Sequence, residues 1–535
     1  MPAVLPGHAA GLTWRRVAGA TPPAAPAVAP TVAWIDRLRW LALAFVPSSL
    51  LLGVTTHIST DVAAVPLLWV VPLALYLLTF TAAFASPPPL SRRWPARLVA
   101  PAIAAAVIAL VLGVDWRAGL AVHLAAFAVI ATAFHRELAD RRPMAADLTQ
   151  FFLVVSVGGA LGGLFNALVA PRLFVDVAEY PLVLALAAAL RPSPGWRDGG
   201  AEAAPLVLGI PAFVFVVLTG AWSFGLGAPD TFAAGVTGYW LLAAAVLAVT
   251  NRRPAFALAV AAAVAADLAL PTLNDGRVIF AARSFFGVHR VVAVADGSVH
   301  QLLHGTTLHG VQRMTADGCE PTSYYHPDGP IGQLFGSGRL AADRVAIVGL
   351  GAGGLACYRP AGAVWTFLEI DPLVERIARD PTLFSFLARA AGEVRVVIGD
   401  GRRGLADMTP ASLDLVIADA FSSDAVPVHL LTREFVRLAL DRLRPGGVAV
   451  FHISNRYLQL GPVLARAAAD LDVAAVEQAL APTATSAVPS RWMAIGDADA
   501  VARVTAAAGW PPATPGPRAW TDDHSNILDV LSLRP

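Results

Sequence analysis

A glycine-rich turn between an apolar strand and a helix constrains this chain more than any other feature. The segment Val345–Leu355 runs from a buried strand through Gly349, Gly351 and Gly353 towards a helix. Glycines at such a turn let the backbone approach a ligand closely. Glu369 ends the next apolar strand, where nucleotide sites place an acid that accepts hydrogen bonds from ribose hydroxyls. The pattern predicts the ligand-binding edge of a doubly wound sheet.

Two later strands also end in aspartates, Asp400 between two glycines and Asp419 between two alanines. Asp400 is suited to accept from an adenine amino group, and Asp419 lies where a reacting group would sit. An NAD site would fit the glycine turn as well, but the two aspartate-bearing ends favour an S-adenosyl ligand. Because strands alternate with helices, we expect a parallel sheet with right-handed crossovers. The predicted strands are 345–349, 364–369, 394–398, 414–419 and 447–453.

The apolar content of the chain is concentrated before residue 272. Of the 535 residues, 56% are hydrophobic and only 14% are charged, against ~25% charged in soluble domains. We therefore predict a multi-pass helical membrane bundle followed by an α/β domain. The runs long enough for a ~30 Å hydrocarbon core lie near 38–56, 62–84, 96–114, 118–134, 148–170, 205–224 and 231–250. Residues 179–190 and 255–271 are weaker candidates, and about eight spans are expected.

The arginines of the short loops predict the orientation of the bundle. They precede the first span at Arg37 and Arg39, follow the second at Arg92 and Arg93, and follow the fourth at Arg141 and its neighbours. The N-terminus should therefore be cytoplasmic. Eight spans would place the soluble domain in the cytoplasm of a bacterial cell, anchored to the inner membrane, whereas nine would place it outside. We expect eight.

The chain divides into four predicted regions. Residues 1–34 are rich in proline and alanine and should be disordered, and residues 35–272 form the membrane domain. Residues 273–340 alternate apolar and polar side chains, with a hairpin turn at Asp296-Gly297, and predict a small β layer. Residues 341–535 form the nucleotide-binding domain. Loops at 305–312 and 322–326 either roof a substrate cleft or are ordinary surface loops.

Several classes of function are excluded by composition. The chain contains no lysine, which excludes a P-loop lysine and a Schiff-base lysine. A net charge of +1 gives no indication of a nucleic-acid partner. The only two cysteines, Cys319 and Cys357, lack the spacing of a metal site, so no metal is expected. A disulfide also looks improbable from sequence alone, and a reducing compartment fits.

Residues 277–455 resemble spermidine synthase, an aminopropyltransferase on a methyltransferase-like fold with a small N-terminal β domain. The whole chain resembles the bacterial proteins in which this domain follows a membrane bundle. The motifs that carry the resemblance are His57–Asp61, His135–Leu138, Ser156–Gly159, His304–Gly310 and Thr521–Asn526.

The resemblance implies a role for each matching residue. Glu369 would hold the ribose, Asp400 the adenine, and Asp419 would be the general base that deprotonates the attacking amine. The remaining implied contacts to the donor and the acceptor are Tyr324, Tyr325, Gln312, Asp371, Asp424, Gly349, Gly351, Gly353 and Gly401.

One position departs from the pattern of the family. Spermidine synthases carry an aspartate in the glycine turn near the propylamine end of the donor, where this chain has Ala352. A carboxylate there would attract an amine and repel the carboxylate of intact S-adenosylmethionine. The other acids available to hold a polyamine are few, with Asp522 and Asp523 among them. The donor is therefore either S-adenosylmethionine or its decarboxylated form.

The leading hypothesis is a membrane-anchored transferase that moves an aminopropyl group from an S-adenosyl sulfonium to an amine and releases methylthioadenosine. A lyase that cyclises intact S-adenosylmethionine and a methyltransferase are the alternatives with the same donor. A transporter or sensor with a degenerate nucleotide domain is the alternative of another class. The expected partners are the small-molecule donor, an amine acceptor and the lipid bilayer, and the resemblance leaves a homodimer open.

Overall fold

The computed structural model describes most of the chain outside a long central segment. The described residues are 32–59, 67–86, 93–112, 116–191, 252–269, 276–305, 307–314, 319–338, 340, 343–391, 394–420, 427–455, 458–481 and 487–532. The predicted disordered segment up to residue 31, the spans predicted at 205–224 and 231–250, and Asp424 lie outside them.

The N-terminal half is a bundle of apolar helices. Four helical stretches, within 34–57, 94–111, 117–140 and 145–173, are long and apolar enough to cross a membrane. Shorter apolar helices stand at the two positions that the sequence marked as weaker candidates, 179–190 and 255–271. The bounds are α1 Trp34–His57, α2 Val70–Phe84, α3 Arg93–Leu112, α4 Trp116–Asp140, α5 Leu148–Leu164, α6 Glu179–Leu190 and α7 Arg253–Ala269; α5 continues through a π-helical turn, Phe165–Val169, and a short helix, Ala170–Leu173.

Helix α5 packs closely against α1 through glycines, as small residues allow in membrane helices. A Cβ atom on Gly158 would lie 2.5 Å from the carbonyl oxygen of Leu41, and one on Gly162 would lie 2.8 Å from that of Phe45. Asn166 donates to Ser49 Oγ at 2.6 Å across the same contact. The small residues of 156–163 therefore serve helix packing.

The two ends of the bundle differ. At the "arginine end", α1 begins and α4 ends, and Arg136 Nη1 donates to the carbonyl oxygen of Ala83 near the end of α2 at 2.7 Å. At the opposite "junction end", α1 finishes at His57, whose ring stacks on Tyr180 of α6 with centroids 5.2 Å apart. Glu179, the first residue of α6, pairs there with Arg283 at 2.9 Å. Since Arg283 belongs to the soluble half, that half docks on the junction end.

The soluble half begins with a four-stranded antiparallel sheet in sequential order. Each strand pairs with the next one along the chain, and the β1–β2 and β3–β4 pairings each contain a register shift, whereas the β2–β3 pairing is regular. The predicted turn at Asp296-Gly297 lies in a short 3₁₀ turn, Ala295–Gly297, in which all three residues have positive φ. The strands are β1 Arg277–Ser284, β2 Gly287–Val294, β3 Val299–His304 and β4 Thr307–Arg313.

The second sheet has seven strands in the order β10-β11-β9-β8-β5-β6-β7. Strands β5 to β9 run parallel, and β10 and β11 are antiparallel to their neighbours. This is the predicted doubly wound, methyltransferase-type sheet. Strands β5, β6 and β7 are added towards one edge and β8 and β9 towards the other, so the strand order reverses between β5 and β8. The bounds are β5 Arg344–Val348, β6 Val364–Glu369, β7 Val394–Ile398, β8 Leu413–Ala418, β9 Leu443–His452, β10 Ala474–Leu480 and β11 Ser490–Gly496.

Helices cover both faces of this sheet and enclose two apolar cores. One core contains Trp365 and Trp492 and the other contains Phe435 and Phe451, all fully or almost fully buried. The helices are α8 Pro330–Gly336, α9 Pro372–Arg379, α10 Phe386–Arg389, α11 Gly401–Ala406, α12 Arg433–Arg442, α13 Gly461–Ala469 and α14 Ala498–Ala508, with 3₁₀ turns at Ala145–Asp147, Gly354–Tyr358, Val428–Leu430 and Ile527–Val530.

The expectation of two reduced cysteines was wrong. Cys319 and Cys357 form a disulfide, with Cα atoms 5.2 Å apart. The spacing of 38 residues gives no local signal, and the pair meets because the segment after β4 folds back over the 3₁₀ turn that follows the glycines. The bond ties the approach to Tyr324 and Tyr325 to the helical turn next to the ligand edge.

Candidate functional site

A cleft lies at the carboxyl ends of β5, β6, β7 and β8, under the small β layer. Parallel sheets of this type bind ligands at this position because the crossover helices diverge there. His309 from the first polar loop and Tyr324 and Tyr325 from the second line this cleft; the roofing of a substrate cleft by these loops stays a prediction. The lining includes Phe286, His289, His304, His309, Tyr324, Tyr325, Gly349, Leu350, Gly351, Glu369, Asp371, Asp400, Gly401, Asp419, Pro427 and His429.

The glycine turn forms the floor of the cleft. Gly349 has φ +103°, and a Cβ atom there would lie 2.1 Å from the carbonyl oxygen of Asp419, so only glycine fits between the ends of β5 and β8. Gly351 has φ +55° and faces the carbonyl oxygen of His309. Gly353 also has positive φ but packs against Leu387, outside the cleft lining. Two of the three predicted glycines therefore line the cleft, and the third shapes the turn.

Glu369 is fixed at the end of β6 by backbone donors. Its Oε2 accepts from the Leu350 amide at 3.0 Å and its Oε1 from the Asp371 amide at 2.9 Å. Burial raises the pKa of this carboxyl, although the backbone hydrogen bonds oppose the shift. The side chain is held in one orientation with its remaining lone pairs towards the cleft, as a partner for two adjacent hydroxyls requires.

Asp371 connects the cleft to the β layer. Its Oδ1 accepts from the Leu373 amide at 2.9 Å and so caps α9. Its Oδ2 accepts from Ser284 Oγ at 2.5 Å and from His289 Nε2 at 3.0 Å. Burial works against ionisation, but these hydrogen bonds outweigh it and leave the pKa of Asp371 below its usual value. The carboxylate thus links β1 and β2 of the β layer to the end of β6.

Asp400 and Gly401 form the third strand end. Asp400 caps α11 by accepting from the Arg403 amide at 2.9 Å, and its second oxygen lies 3.5 Å from His429 Nε2. A Cβ atom on Gly401 would lie 2.3 Å from Val348, which brings this backbone against β5. Asp400 lines the cleft beside His429, and its contact with an adenine stays a prediction.

Asp419 lies at the other end of the cleft, and each of its two carboxylate oxygens has a side-chain hydrogen-bond partner. The hydroxyl of Tyr325 donates to its Oδ2, and His452 Nδ1 lies 2.7 Å from its Oδ1. Burial and the Asp419 charge raise the pKa of Tyr325, so the phenol stays protonated and donates. Tyr324 packs edge-on against Tyr325 with centroids 4.5 Å apart. The predicted base and both predicted tyrosines are therefore brought together.

His452 is a site residue that the sequence did not reveal. It ends β9, its ring stacks on Trp492 at 4.3 Å with planes 8° apart, and its Nε2 lies 2.7 Å from Ser454 Oγ. Ser454 Oγ also accepts from the Arg491 amide. Because a carboxylate oxygen only accepts hydrogen bonds, Nδ1–H of His452 is the donor to Asp419. The sequence could have indicated His452 only through its position, because it ends β9, the neighbour of the strand that Asp419 follows.

The roof supplies three imidazoles that were not predicted individually. His289 and His304 have ring centroids 4.6 Å apart, and His304 and His309 have centroids 5.6 Å apart. Burial, with the neighbouring histidines, lowers the pKa of His304 to about 4 and that of His309 to about 3. Both rings are therefore neutral near pH 7, and this wall of the cleft is polar without carrying charge.

Other expected contacts lie outside the cleft lining. Gln312 is buried with both amide atoms bonded to Ser385, at 2.7 and 2.8 Å. Asp522 pairs with Arg402 at 2.6 Å and is not directed at the cleft. Ala352 is buried under β4, where a Cβ atom added to Gly310 would lie 2.5 Å from the Cβ atom of Ala352.

The arrangement can hold a nucleoside and remove a proton. The acids of β6 and β7 face the nucleoside end, and a carboxylate supported by two donors faces the opposite end. Such a carboxylate, placed next to a bound amine or water, is a general base. The side chains present suit a nucleophilic displacement on a bound S-adenosyl sulfonium.

Comparison with known proteins finds sequence similarity over part of the chain. No protein-family model matches. A polyamine aminopropyltransferase from Vibrio vulnificus is 33% identical over 114 residues, which cover 20% of this chain and 36% of the relative. One from Halorhodospira halophila is 34% identical over 127 residues, covering 23% and 45%. The chain thus spans less than half the length of either curated relative.

Solved structures with a similar fold include spermidine synthases at low identity. A probable spermidine synthase from Corynebacterium glutamicum has 17% identity and a TM-score of 0.33, covering 48% of this chain and 99% of that one. Spermidine synthase from Thermotoga maritima has 14% identity and a TM-score of 0.31, covering 42% and 75%. The sequence matches show that part of this chain resembles polyamine aminopropyltransferases.

Proposed function

We propose that the chain is a membrane-anchored transferase that opens the sulfonium of an S-adenosyl donor by attack of an amine. The observation that carries the proposal is the position of Asp419, held by Tyr325 and His452 at the end of the cleft opposite Asp400. The named relatives, both polyamine aminopropyltransferases, support the same reaction class.

The reaction is a displacement at the carbon next to sulfur. The amine nitrogen forms the new C–N bond, the C–S bond breaks, and the electron pair leaves on the neutral thioether of methylthioadenosine. The nitrogen loses one proton, which Asp419 accepts. Because the sulfonium is already a good leaving group, the protein mainly aligns the two reactants and receives the proton.

A second candidate is cyclisation of intact S-adenosylmethionine, in which its own carboxylate displaces methylthioadenosine. Ala352 favours it, because its side chain is buried against β4 and places no carboxylate next to the tail of the donor. The neutral imidazoles of His304 and His309 also face this space without repelling a carboxylate.

A product assay separates the candidates. Protein purified in detergent is incubated with S-adenosylmethionine or its decarboxylated form, with and without putrescine, and the products are identified by mass spectrometry. Methylthioadenosine only from decarboxylated donor plus amine supports aminopropyl transfer. Methylthioadenosine from intact donor alone supports cyclisation. S-adenosylhomocysteine would mean methyl transfer, and no product from any mixture would contradict the proposal and favour a binding or transport role.

A further inference from the structure

The side of the membrane on which the cleft lies can be inferred from the two ends of the bundle. The soluble half contacts the junction end through Arg283, which pairs with Glu179 at 2.9 Å, and through Arg290, which pairs with Asp176. Glu179 adjoins Tyr180, whose ring stacks on His57 at the end of α1. The cleft is therefore on the side of the bundle opposite to the start of α1.

The arginines of the bundle lie mainly at the other end. Within the described parts of α1 to α5 and the segments joining them to α6, seven arginines lie at or near the arginine end and two, Arg117 and Arg172, at the junction end. Arginines in short loops mark the cytoplasmic side, and acidic neighbours have little effect on this rule. The seven are Arg37, Arg39, Arg93, Arg97, Arg136, Arg141 and Arg142.

The disulfide is an independent observation with the same implication. Cys319 and Cys357 are paired in the soluble half, and within the described residues no free cysteine remains. Disulfides persist in oxidising compartments and are rare in the cytoplasm. The bond lies directly behind the glycine turn, so its redox environment is that of the cleft.

We propose that the soluble half, with its cleft, faces the non-cytoplasmic side of the membrane. This replaces the expectation of a cytoplasmic domain, which rested on a count of eight spans. Helix α7 does not lie on the bundle surface, because Phe256 and Val260 are fully buried in the bundle core. The next described element along the chain is β1, whose Arg283 contacts the junction end.

The orientation constrains the supply of substrate. This consequence rests on the proposed function, whereas the orientation itself does not. A sulfonium is a permanent cation, and a charge in the hydrocarbon core is costly, so the donor does not cross the bilayer unaided. A transport step must therefore deliver an S-adenosyl compound to the side on which the cleft opens.

Labelling of matched cysteine variants tests the orientation without requiring activity. Ala146, between α4 and α5 at the arginine end, and Ala502, on α14 of the soluble half, are both exposed alanines. Spheroplasts expressing Ala146→Cys or Ala502→Cys are treated with a membrane-impermeant maleimide before or after permeabilisation. We expect Ala502→Cys to be labelled in intact spheroplasts and Ala146→Cys only after permeabilisation.

The opposite pattern, or equal labelling or equal protection of both variants in intact spheroplasts, would overturn the proposal. The unaltered chain gives a second measurement that no substitution can disturb. Denatured under thiol-trapping conditions, it should take up no maleimide before reduction and two after. Two free thiols before reduction would contradict an oxidising environment. Neither the labelling pattern nor the thiol count depends on enzymatic activity. A failure of the proposed reaction is therefore distinguishable from a failure of the proposed orientation.

Discussion

His452 Nδ1 lies 2.7 Å from Oδ1 of Asp419, at the adjoining ends of two parallel strands. The imidazole is itself fixed by Trp492 on one face and by Ser454 at Nε2. A carboxylate with one oxygen held in this way and the other held by Tyr325 has a single orientation. For the proposed function, this geometry would preorganise Asp419 to receive a proton and would make His452 a positioning residue.

His452→Ala should lower kcat by about 100-fold, the typical effect of misplacing a reacting group, and should leave donor affinity within about threefold. His452→Gln, which can still donate a hydrogen bond, should recover part of the loss. Steady-state kinetics and donor titration provide the two readouts. Equal losses of kcat and donor affinity in both variants would indicate a purely structural role.

Tyr325→Phe removes the second donor to Asp419. We expect kcat to fall by at least about tenfold, because a charge-assisted hydrogen bond contributes roughly 1.5 to 3 kcal/mol. Tyr358→Phe is the matched control, since its hydroxyl donates at 2.5 Å to the carbonyl oxygen of Tyr325 and does not reach Asp419. If both variants lose the same activity, the hydroxyl of Tyr325 has no specific part in the reaction.

Glu369→Gln tests the nucleoside end of the cleft. The amide cannot accept from both the Leu350 and Asp371 backbone donors and also receive two ribose hydroxyls. Donor affinity should fall by about 10- to 100-fold, or ~1.4 to 2.7 kcal/mol, with kcat at saturating donor much less affected. An unchanged dissociation constant in calorimetry would show that the ribose binds elsewhere.

Asp371 predicts how stability depends on pH. Its folded-state pKa is lowered, so its contribution is complete above the ordinary aspartate pKa of about 4 and is lost as the pH falls through the lower folded value. Melting temperatures in detergent should therefore decline more steeply below pH 4 in the unaltered chain than in Asp371→Asn. Parallel profiles would exclude Asp371 as the titrating group.

Arg283 and Arg290 should differ in their effect on stability. Removing Arg283 leaves Glu179, which is 1% exposed, as an unpaired buried charge, at a cost of about 3 to 5 kcal/mol. Arg290 pairs with Asp176, whose side chain is 52% exposed, and its loss should cost no more than about 1 kcal/mol. Thermal unfolding of Arg283→Ala and Arg290→Ala measures the two losses of stability. Equal decreases in melting temperature would contradict a larger contribution from the Arg283–Glu179 pair.

The parts of the fold that depend on local pattern were predicted from sequence. Gly349 and Gly351 require positive φ next to a strand, and Glu369, Asp400 and Asp419 follow apolar strands. Each signal lies within a few residues of the strand that it ends. The order of the strands then follows from their alternation with helices.

The parts that depend on distant contacts were not predicted. His452 acquires its role only beside Asp419, and Cys319 meets Cys357 only after the segment following β4 folds back. The orientation of the soluble half depends on the pairing of Glu179 with Arg283, two residues from different halves. Gln312 shows the converse case, because a residue matched to a family role instead bonds Ser385.

In the proposed reaction, Asp419 deprotonates the amine that attacks an S-adenosyl sulfonium. The most direct measurement is release of methylthioadenosine from decarboxylated S-adenosylmethionine plus putrescine by the unaltered chain and by Asp419→Asn, with the donor dissociation constant measured for both. We predict a loss of at least about 100-fold in turnover and a donor affinity within about threefold. Turnover of Asp419→Asn within tenfold of the unaltered chain would contradict the account.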